Sequence, residues 1–212
     1  MENFALITEG ITDQVVLESI LCGYYEDDLE INIIQPARDA TDESRQENFG
    51  GWEKVLEYCK LSAFKEIFLF NKYVVIQIDT DITEHVNFGI SHNFNETPKT
   101  VPILVNEVRE KIKSQINTDV FDIFKDRIFF AIAVHSLECW LLPLHVTTSA
   151  AMKKTANCEN SLSRAVIRSN GVYKKEYRPY EVLTKGFFKK KNILAAKEKN
   201  ESLSIFLDSL PN

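Results

Sequence analysis

Four short apolar runs punctuate the first two thirds of the chain, at residues 3–7, 29–34, 73–78 and 127–134. Their lengths and their β-branched and aromatic content are typical of buried strands. The third and fourth runs are almost continuously apolar, which is the pattern of strands covered on both faces of a parallel sheet. We therefore predict an α/β protein with a parallel sheet.

Between these runs the apolar residues recur at helical spacing. This spacing predicts helices over residues 11–21, 52–61 and 101–116, and a further helix that begins within 135–142. Strands that alternate with helices favour right-handed crossovers between parallel strands. The polar segments 36–51 and 82–100 are predicted to be loops, the second of them mobile.

From about residue 146 the pattern changes. No strand period is visible there, and short amphipathic stretches alternate with Lys-rich turns. We predict a catalytic α/β domain over residues 1–145 and a basic helical C-terminal extension over residues 146–212, the latter too small to be a domain of its own.

Charge divides the chain in the same way. Residues 146–212 contain thirteen Lys and Arg against six Asp and Glu, although the whole chain has a net charge of −6. An acidic N-terminal part and a basic C-terminal part suggest a metal site in the first and a polyanion contact in the second. The alternative is that the lysines only solvate helical faces. With no apolar run of membrane-spanning length and no leader pattern, a cytoplasmic protein without a membrane contact is expected.

The four cysteines lie singly, at Cys22, Cys59, Cys139 and Cys158. No Cys-x-x-Cys pair or Cys/His cluster has the spacing of zinc ligands. Buried, reduced thiols are therefore expected.

Acidic residues follow three of the predicted strands: Glu9 after the first, Asp79 and Asp81 after the third, and Glu138 after the last. Ligands of open parallel sheets bind at the carboxyl ends of the strands, where these acids would converge. Alternation along the chain places both carboxylates of Asp79-Thr80-Asp81 on one side, and carboxylate oxygens suit Mg²⁺ or Mn²⁺. Each acid taken alone is also explained as an ordinary turn residue. Asp13 is a further candidate, with the alternative that it is only a first-turn acid favoured by the helix dipole.

Two segments resemble the signature of the TOPRIM family. Residues 6–13, Leu-Ile-Thr-Glu-Gly-Ile-Thr-Asp, match its Glu-Gly motif, and residues 75–81, Val-Ile-Gln-Ile-Asp-Thr-Asp, match its Asp-x-Asp motif. The resemblance covers roughly residues 3–145. The family includes primases, topoisomerases, OLD-type nucleases and proteins of anti-phage systems. The Thr-Asp after Glu-Gly and the Glu-x-Trp-Leu-Leu at 138–142 are most similar to the nuclease and defence branch.

The resemblance implies a Rossmann-like TOPRIM core, with a central parallel sheet flanked by helices, and a role for each matching acid. Glu9 would be a metal ligand or general acid/base, Asp79 and Asp81 would hold Mg²⁺, and Glu138 would be a further acid near the metal. No strand-passage region with a nucleophilic Tyr and no zinc-binding primase domain is recognisable. This favours phosphodiester cleavage.

Further candidates are less specific. His135, one helical turn before Glu138, is a candidate general base or a structural histidine at a strand end. Arg38, in a polar loop, is a candidate phosphate contact. The C-terminal segment Lys-Gly-Phe-Phe-Lys-Lys-Lys could grip nucleic acid through Lys185, Lys189, Lys190 and Lys191, or form a solvated turn anchored by its two phenylalanines.

The favoured hypothesis is a Mg²⁺- or Mn²⁺-dependent endonuclease that cleaves DNA or RNA as a toxic effector of anti-phage defence. A second hypothesis is a non-catalytic module that binds a partner such as a neighbouring ATPase. A third is a metal-dependent nucleotide phosphohydrolase, which would share the acidic site without needing the basic tail. The sequence leaves open the substrate, the activating trigger and the partner, and it is compatible with a homo-oligomer.

Overall fold

The computed structural model of the protein describes residues 3–26, 29–37 and 51–211. Its centre is a sheet of four parallel strands in the order β2-β1-β3-β6. These strands are β1 (Asn3–Ile7), β2 (Glu30–Gln35), β3 (Tyr73–Asp79) and β6 (Ile128–Ala133). All four coincide with the predicted strands to within one or two residues, so the predicted α/β fold with a Rossmann-like parallel sheet is confirmed.

Helices connect the strands and cover both faces of the sheet. They are α1 (Ile11–Tyr25), α2 (Trp52–Lys60), α3 (Ala63–Glu66), α4 (Val101–Lys113), α5 (Thr118–Phe124) and α6 (Glu138–His145). The short helices α3 and α5 were not predicted, because four to seven residues are too few to establish a helical period.

Residues 82–100, predicted to be a mobile loop, form hydrogen-bonded turns followed by a small hairpin. Its antiparallel strands are β4 (Asn93–Phe94) and β5 (Thr97–Pro98). The His92 ring fastens this hairpin to the sheet, since Nε2 lies 2.6 Å from the Thr80 carbonyl oxygen and 2.9 Å from Thr83 Oγ1.

Alternation along each strand separates two hydrophobic cores. Phe4 and Leu6 of β1 face one core, whereas Ala5 and Ile7 face the other. Successive side chains of a strand point to opposite faces, so a strand covered on both sides is apolar throughout. This explains why the third and fourth predicted strands are nearly continuous apolar runs.

The C-terminal segment is helical, as predicted, and completes the core on the α1 face of the sheet. Its buried Leu162, Phe187 and Phe206 belong to the same core as Phe4 and Leu6. These residues are therefore part of the main packing unit. The helices are α7 (Ser149–Met152), α8 (Cys158–Arg168), α9 (Tyr177–Thr184), α10 (Lys190–Lys197) and α11 (Glu201–Ser209).

The expectation of reduced cysteines is wrong for two of the four. Packing of α6 against α8 brings the Cα atoms of Cys139 and Cys158 to 5.0 Å, and their sulfurs form a disulfide bond. This distance lies within the range that a disulfide requires. Cys59 is a buried thiol, as expected.

The strand order locates the crevice of the sheet. From β1 the chain moves outward to β2 and then returns to β3 on the other side of β1. This reversal makes the carboxyl ends of β1 and β3 the topological switch point, where open α/β sheets bind their ligands.

Within the described ranges, no helix is long and apolar enough to cross a membrane.

Candidate functional site

Glu9 and Asp79 meet at the switch point. Glu9 follows β1 by two residues and Asp79 ends β3, and the backbone N–H of Asp79 donates a 2.7 Å hydrogen bond to Glu9 Oε1. The buried Gln77 side chain ties the two together. Its Oε1 accepts from the Glu9 N–H at 3.1 Å, and its Nε2 donates to Asp79 Oδ1 at 2.8 Å. The second Asp79 oxygen, Oδ2, accepts from the Leu137 N–H at 3.3 Å.

Asp13 belongs to the same acidic group. It lies in the first turn of α1, where helices favour acidic residues, and its charge raises the pKa of both Glu9 and Asp79. Gly10 leaves it room, because a Cβ atom at Gly10 would lie only 3.2 Å from Asp13 Oδ2. We use the term acidic cluster for Glu9, Asp13, Asp79 and Asp81.

The acidic cluster is electrostatically strained. Burial, followed by the charge of Asp13, raises the pKa of Glu9 to about 8. Burial and the charge of Glu138 raise the pKa of Asp13 to about 7. The pKa of Asp79 is raised well above its ordinary value by burial and by the charges of Asp13 and Glu9. Each carboxylate thus disfavours ionisation of the others, a pattern concentrated at functional sites.

Asp81 lies at the outer rim of the acidic cluster. Its side chain is exposed, and partial desolvation raises its pKa, although the nearby His135 acts in the opposite direction. The backbone of His135 holds this turn. Its carbonyl accepts from the Asp81 N–H at 3.0 Å, and its N–H donates to Thr80 Oγ1 at 2.8 Å. His135 has a φ of +69°, which is uncommon for a residue with a side chain.

Glu138 has a different environment from the acidic cluster. It is buried, accepts a 2.7 Å hydrogen bond from the Tyr180 hydroxyl and lies 3.3 Å from Lys175 Nζ. Burial alone would raise the pKa of Glu138, but the Lys175 ammonium and hydrogen bonds from Ser136 and Tyr180 outweigh it and lower the pKa. Its surroundings therefore favour the ionised form of Glu138, in contrast to the acids of the acidic cluster.

Lys175 supplies the positive charge. Burial would lower its pKa, but the charges of Glu138 and Glu159 outweigh this effect and raise it. It pairs with Glu138, the residue after Leu137, whose N–H donates to Asp79 of the acidic cluster, and the same ammonium lowers the pKa of Glu9, Asp13 and Asp81. Sequence reasoning missed Lys175 and Tyr180, because the segment between α8 and α9 has no periodic pattern and its position depends on tertiary packing.

A divalent cation fits the chemistry of these donors. Among the described residues no group of three or more His, Cys, Asp or Glu side chains is arranged to hold a metal ion. Mg²⁺, however, usually takes only one or two carboxylates and completes its shell with water and substrate phosphates. Glu9, Asp79 and Asp81 offer carboxylate oxygens, and a dication would offset the mutual repulsion that raises their pKa values.

The structure does not bring Lys190 of the predicted lysine cluster to this site. Lys190 lies 3.5 Å from Glu26 Oε2 and over the Tyr24 ring, at the C-terminal end of α1, whereas Asp13 lies at the other end. A helix of this length spans roughly 20 Å. Between Lys185 and Lys189, Phe187 is fully buried and Phe188 is exposed, so only Phe187 is a core anchor. Arg38 falls outside the described residues.

The chain matches no protein-family model, and no curated protein or solved structure is significantly similar to it. The likeness to TOPRIM proteins therefore remains a resemblance carried by the two motifs.

Proposed function

We propose that the protein is a metal-dependent nuclease that hydrolyses phosphodiester bonds in DNA or RNA, and that it acts as an effector of anti-phage defence. The main support is the meeting of Glu9 and Asp79 at the switch point of the sheet, with Asp81 at its rim, together with the raised pKa values of all three. The defence role rests on the family resemblance alone.

Glu9, Asp79 and Asp81 would hold Mg²⁺ or Mn²⁺. Such an ion, when bound, activates water and stabilises negative charge on a phosphoryl group. Gln77 and the Leu137 N–H fix the Asp79 carboxylate, so its orientation precedes any ligand. In the metal-free protein Glu9 keeps a proton near neutral pH, since its pKa is raised to about 8.

Lys175 would offset the negative charge of a bound phosphate. Anionic substrates are repelled by a purely acidic site that has no counter-charge, and Lys175 is a cation whose charge reaches the acidic cluster. Glu138 and Glu159 keep this ammonium in place, at 3.3 and 3.0 Å. Glu138 therefore acts by holding Lys175.

A cleavage assay tests the proposal. Wild-type protein would be incubated with plasmid, single-stranded DNA, total tRNA and nucleoside triphosphates in Mg²⁺ or Mn²⁺. Asp79→Ala would be the inactive variant and Asp122→Asn, an exposed acid on α5, the matched control. We expect metal-dependent cleavage of a polynucleotide that Asp79→Ala loses and Asp122→Asn retains. Equal cleavage by wild type and Asp79→Ala would overturn the proposal.

One observation favours a nucleotide phosphohydrolase as the second candidate. Lys190 of the lysine cluster lies near the far end of α1, so a small substrate could react at the acidic cluster without contacting Lys190. Hydrolysis of nucleoside triphosphates, with every polynucleotide left intact, would select this candidate. The partner-binding module predicts neither reaction and tolerates the loss of Asp79.

A further inference from the structure

The disulfide bond joins two helices that each direct a carboxylate at the same lysine. Cys139 follows Glu138 at the start of α6, and Cys158 precedes Glu159 at the start of α8. Lys175 Nζ lies 3.3 Å from Glu138 Oε1 and 3.0 Å from Glu159 Oε2. One covalent bond and two ion pairs therefore fix the same three segments of chain.

The ion pair with Glu159 alone would hold Lys175 weakly. The side chains of Lys175 and Glu159 are each 49% exposed, and ion pairs of this kind contribute little net stability because water screens them. The segment that bears Lys175 follows Asn170, whose φ of +59° marks the turn after α8. A cross-link at the base of α8 restricts where this segment can lie.

The cross-link is well placed to act on the site. Cys139 and Cys158 are both almost completely buried in the core shared with α1, and α1 carries Asp13 in its first turn. Loss of the bond would let the start of α8 move away from α6, and Glu159 would move with it. Lys175 would then lose the Glu159 carboxylate as a partner.

We propose that the Cys139–Cys158 disulfide positions Lys175 at the acidic cluster, so that the redox state of this bond sets the activity of the site. The effect on activity rests on the proposed function, whereas the effect on Lys175 does not. The disulfide is thus a redox modification site, and its reduction changes the position of the Lys175 ammonium group.

The redox step is a thiol–disulfide exchange. Because both cysteines are buried, the exchange requires a local opening of α8 from α6. A thiolate of a dithiol reductant then attacks one sulfur of the bond, forms a mixed disulfide and releases the other cysteine as a thiolate. The second thiol of the reductant then displaces the first cysteine. Cys139 and Cys158 end as two thiols and the reductant as its own disulfide, with two electrons and two protons transferred to the protein.

Selective acetylation of lysines tests the positioning of Lys175 without reference to catalysis. The full chain, purified without reductant, would be treated briefly with N-acetoxysuccinimide and analysed by peptide mass spectrometry. The measured quantity is the acetylation rate of Lys175 divided by that of Lys174, its exposed neighbour. The samples are oxidised wild type, wild type reduced with dithiothreitol, Cys139→Ala/Cys158→Ala, and Cys59→Ala as the control.

We expect a several-fold rise of this ratio in the reduced and double-Ala proteins and no change in Cys59→Ala. Reduced wild type keeps every side chain, so it remains informative if the double variant does not fold. An unchanged ratio after complete reduction would overturn the inference. So would mass spectra that show Cys139 and Cys158 as thiols in protein purified without reductant.

Cleavage measured on the same samples separates this inference from the proposed function. We expect the turnover number to fall on reduction and to recover on reoxidation with a low-molecular-weight disulfide. If wild type cleaves no substrate but its Lys175/Lys174 acetylation ratio rises on reduction, the proposed function is wrong and the positioning role of the disulfide is retained. Equal cleavage by oxidised and reduced protein would sink the redox control and leave the nuclease standing.

Discussion

The Asp79 N–H donates a 2.7 Å hydrogen bond to Glu9 Oε1 across seventy positions of sequence. This bond joins the residue that ends β3 to the residue that follows β1, at the one place where the strand order reverses. It orients the Glu9 carboxylate toward the turn that bears Asp79 and Asp81. The two motifs of the sequence thus become one site through a contact that neither motif contains.

The acidic cluster should make the metal-free protein less stable as the pH rises. The pKa of Asp13 rises from 3.8 to about 7 on folding, and that of Glu9 from 4.5 to about 8. At a pH between the unfolded-state pKa and the folded-state pKa of each acid, the native state holds a proton that the unfolded state has released. A higher pH therefore favours unfolding. The stability these groups contribute is complete below about pH 4 and is lost by about pH 8. Urea unfolding in EDTA from pH 5 to pH 9 measures it.

Removing one charge of the acidic cluster should weaken this loss of stability at high pH. Asp13→Asn is expected to stabilise the metal-free protein at pH 8–9 by on the order of 1–3 kcal/mol, with little effect at pH 5, where Asp13 is already protonated. The control Asp122→Asn alters an exposed acid and should change stability by less than about 0.5 kcal/mol at either pH. A destabilised Asp13→Asn at pH 9 would show that the repulsion is absent.

Lys175→Met should destabilise the protein, because it leaves the buried Glu138 carboxylate without the Lys175 ammonium. Glu138 is 5% exposed and would lose its only described counter-ion. We expect a loss of about 1–2 kcal/mol, a reduced value because Lys175 is itself half exposed. Adding Glu138→Gln should recover part of it, since Tyr180 can still donate to the amide oxygen. Lys174→Met is the control, and a double variant less stable than Lys175→Met would contradict this coupling.

Replacing Lys175 and replacing the lysines at 189–191 should change different kinetic constants. Lys175 lies at the acidic cluster, so Lys175→Met is expected to lower kcat. Lys189, Lys190 and Lys191 lie far from it, so their replacement by Gln should raise KM and flatten the salt dependence of binding while kcat is preserved. Steady-state cleavage at several salt concentrations provides both constants. If the triple variant lowers kcat as much as Lys175→Met does, the separation is wrong.

His135 should tolerate Gly better than Val. Its φ of +69° lies in the left-handed region, where a β-branched residue is strained and glycine is not. We expect His135→Val to be less stable than His135→Gly by about 1–2 kcal/mol in urea unfolding. Comparable stability of the two variants would mean that the Asp81 turn does not need this backbone conformation.

Sequence patterns were sufficient to predict the strands and the positions of the acids near the strand ends. They were not sufficient to predict Lys175 or the disulfide beside these acids. The strands could be predicted because a strand buried on both faces is apolar throughout, and Glu9, Asp79 and Asp81 because each follows such a strand. Lys175 could not, since its place depends on how the segment after α8 packs on Glu138. The disulfide was missed for a related reason: it depends on the contact of α6 with α8, and the separation of nineteen residues between Cys139 and Cys158 has no characteristic spacing.

The central claim is that Glu9, Asp79 and Asp81 bind a divalent cation. Titration of metal-free protein with Mn²⁺, followed by calorimetry and by the electron paramagnetic resonance signal of free Mn²⁺, tests it most directly. Asp79→Asn would be compared with Asp122→Asn in the same buffer. The account predicts saturable binding by wild type and by Asp122→Asn that Asp79→Asn loses while remaining folded. Equal binding by wild type and Asp79→Asn, or no binding by wild type, would contradict it.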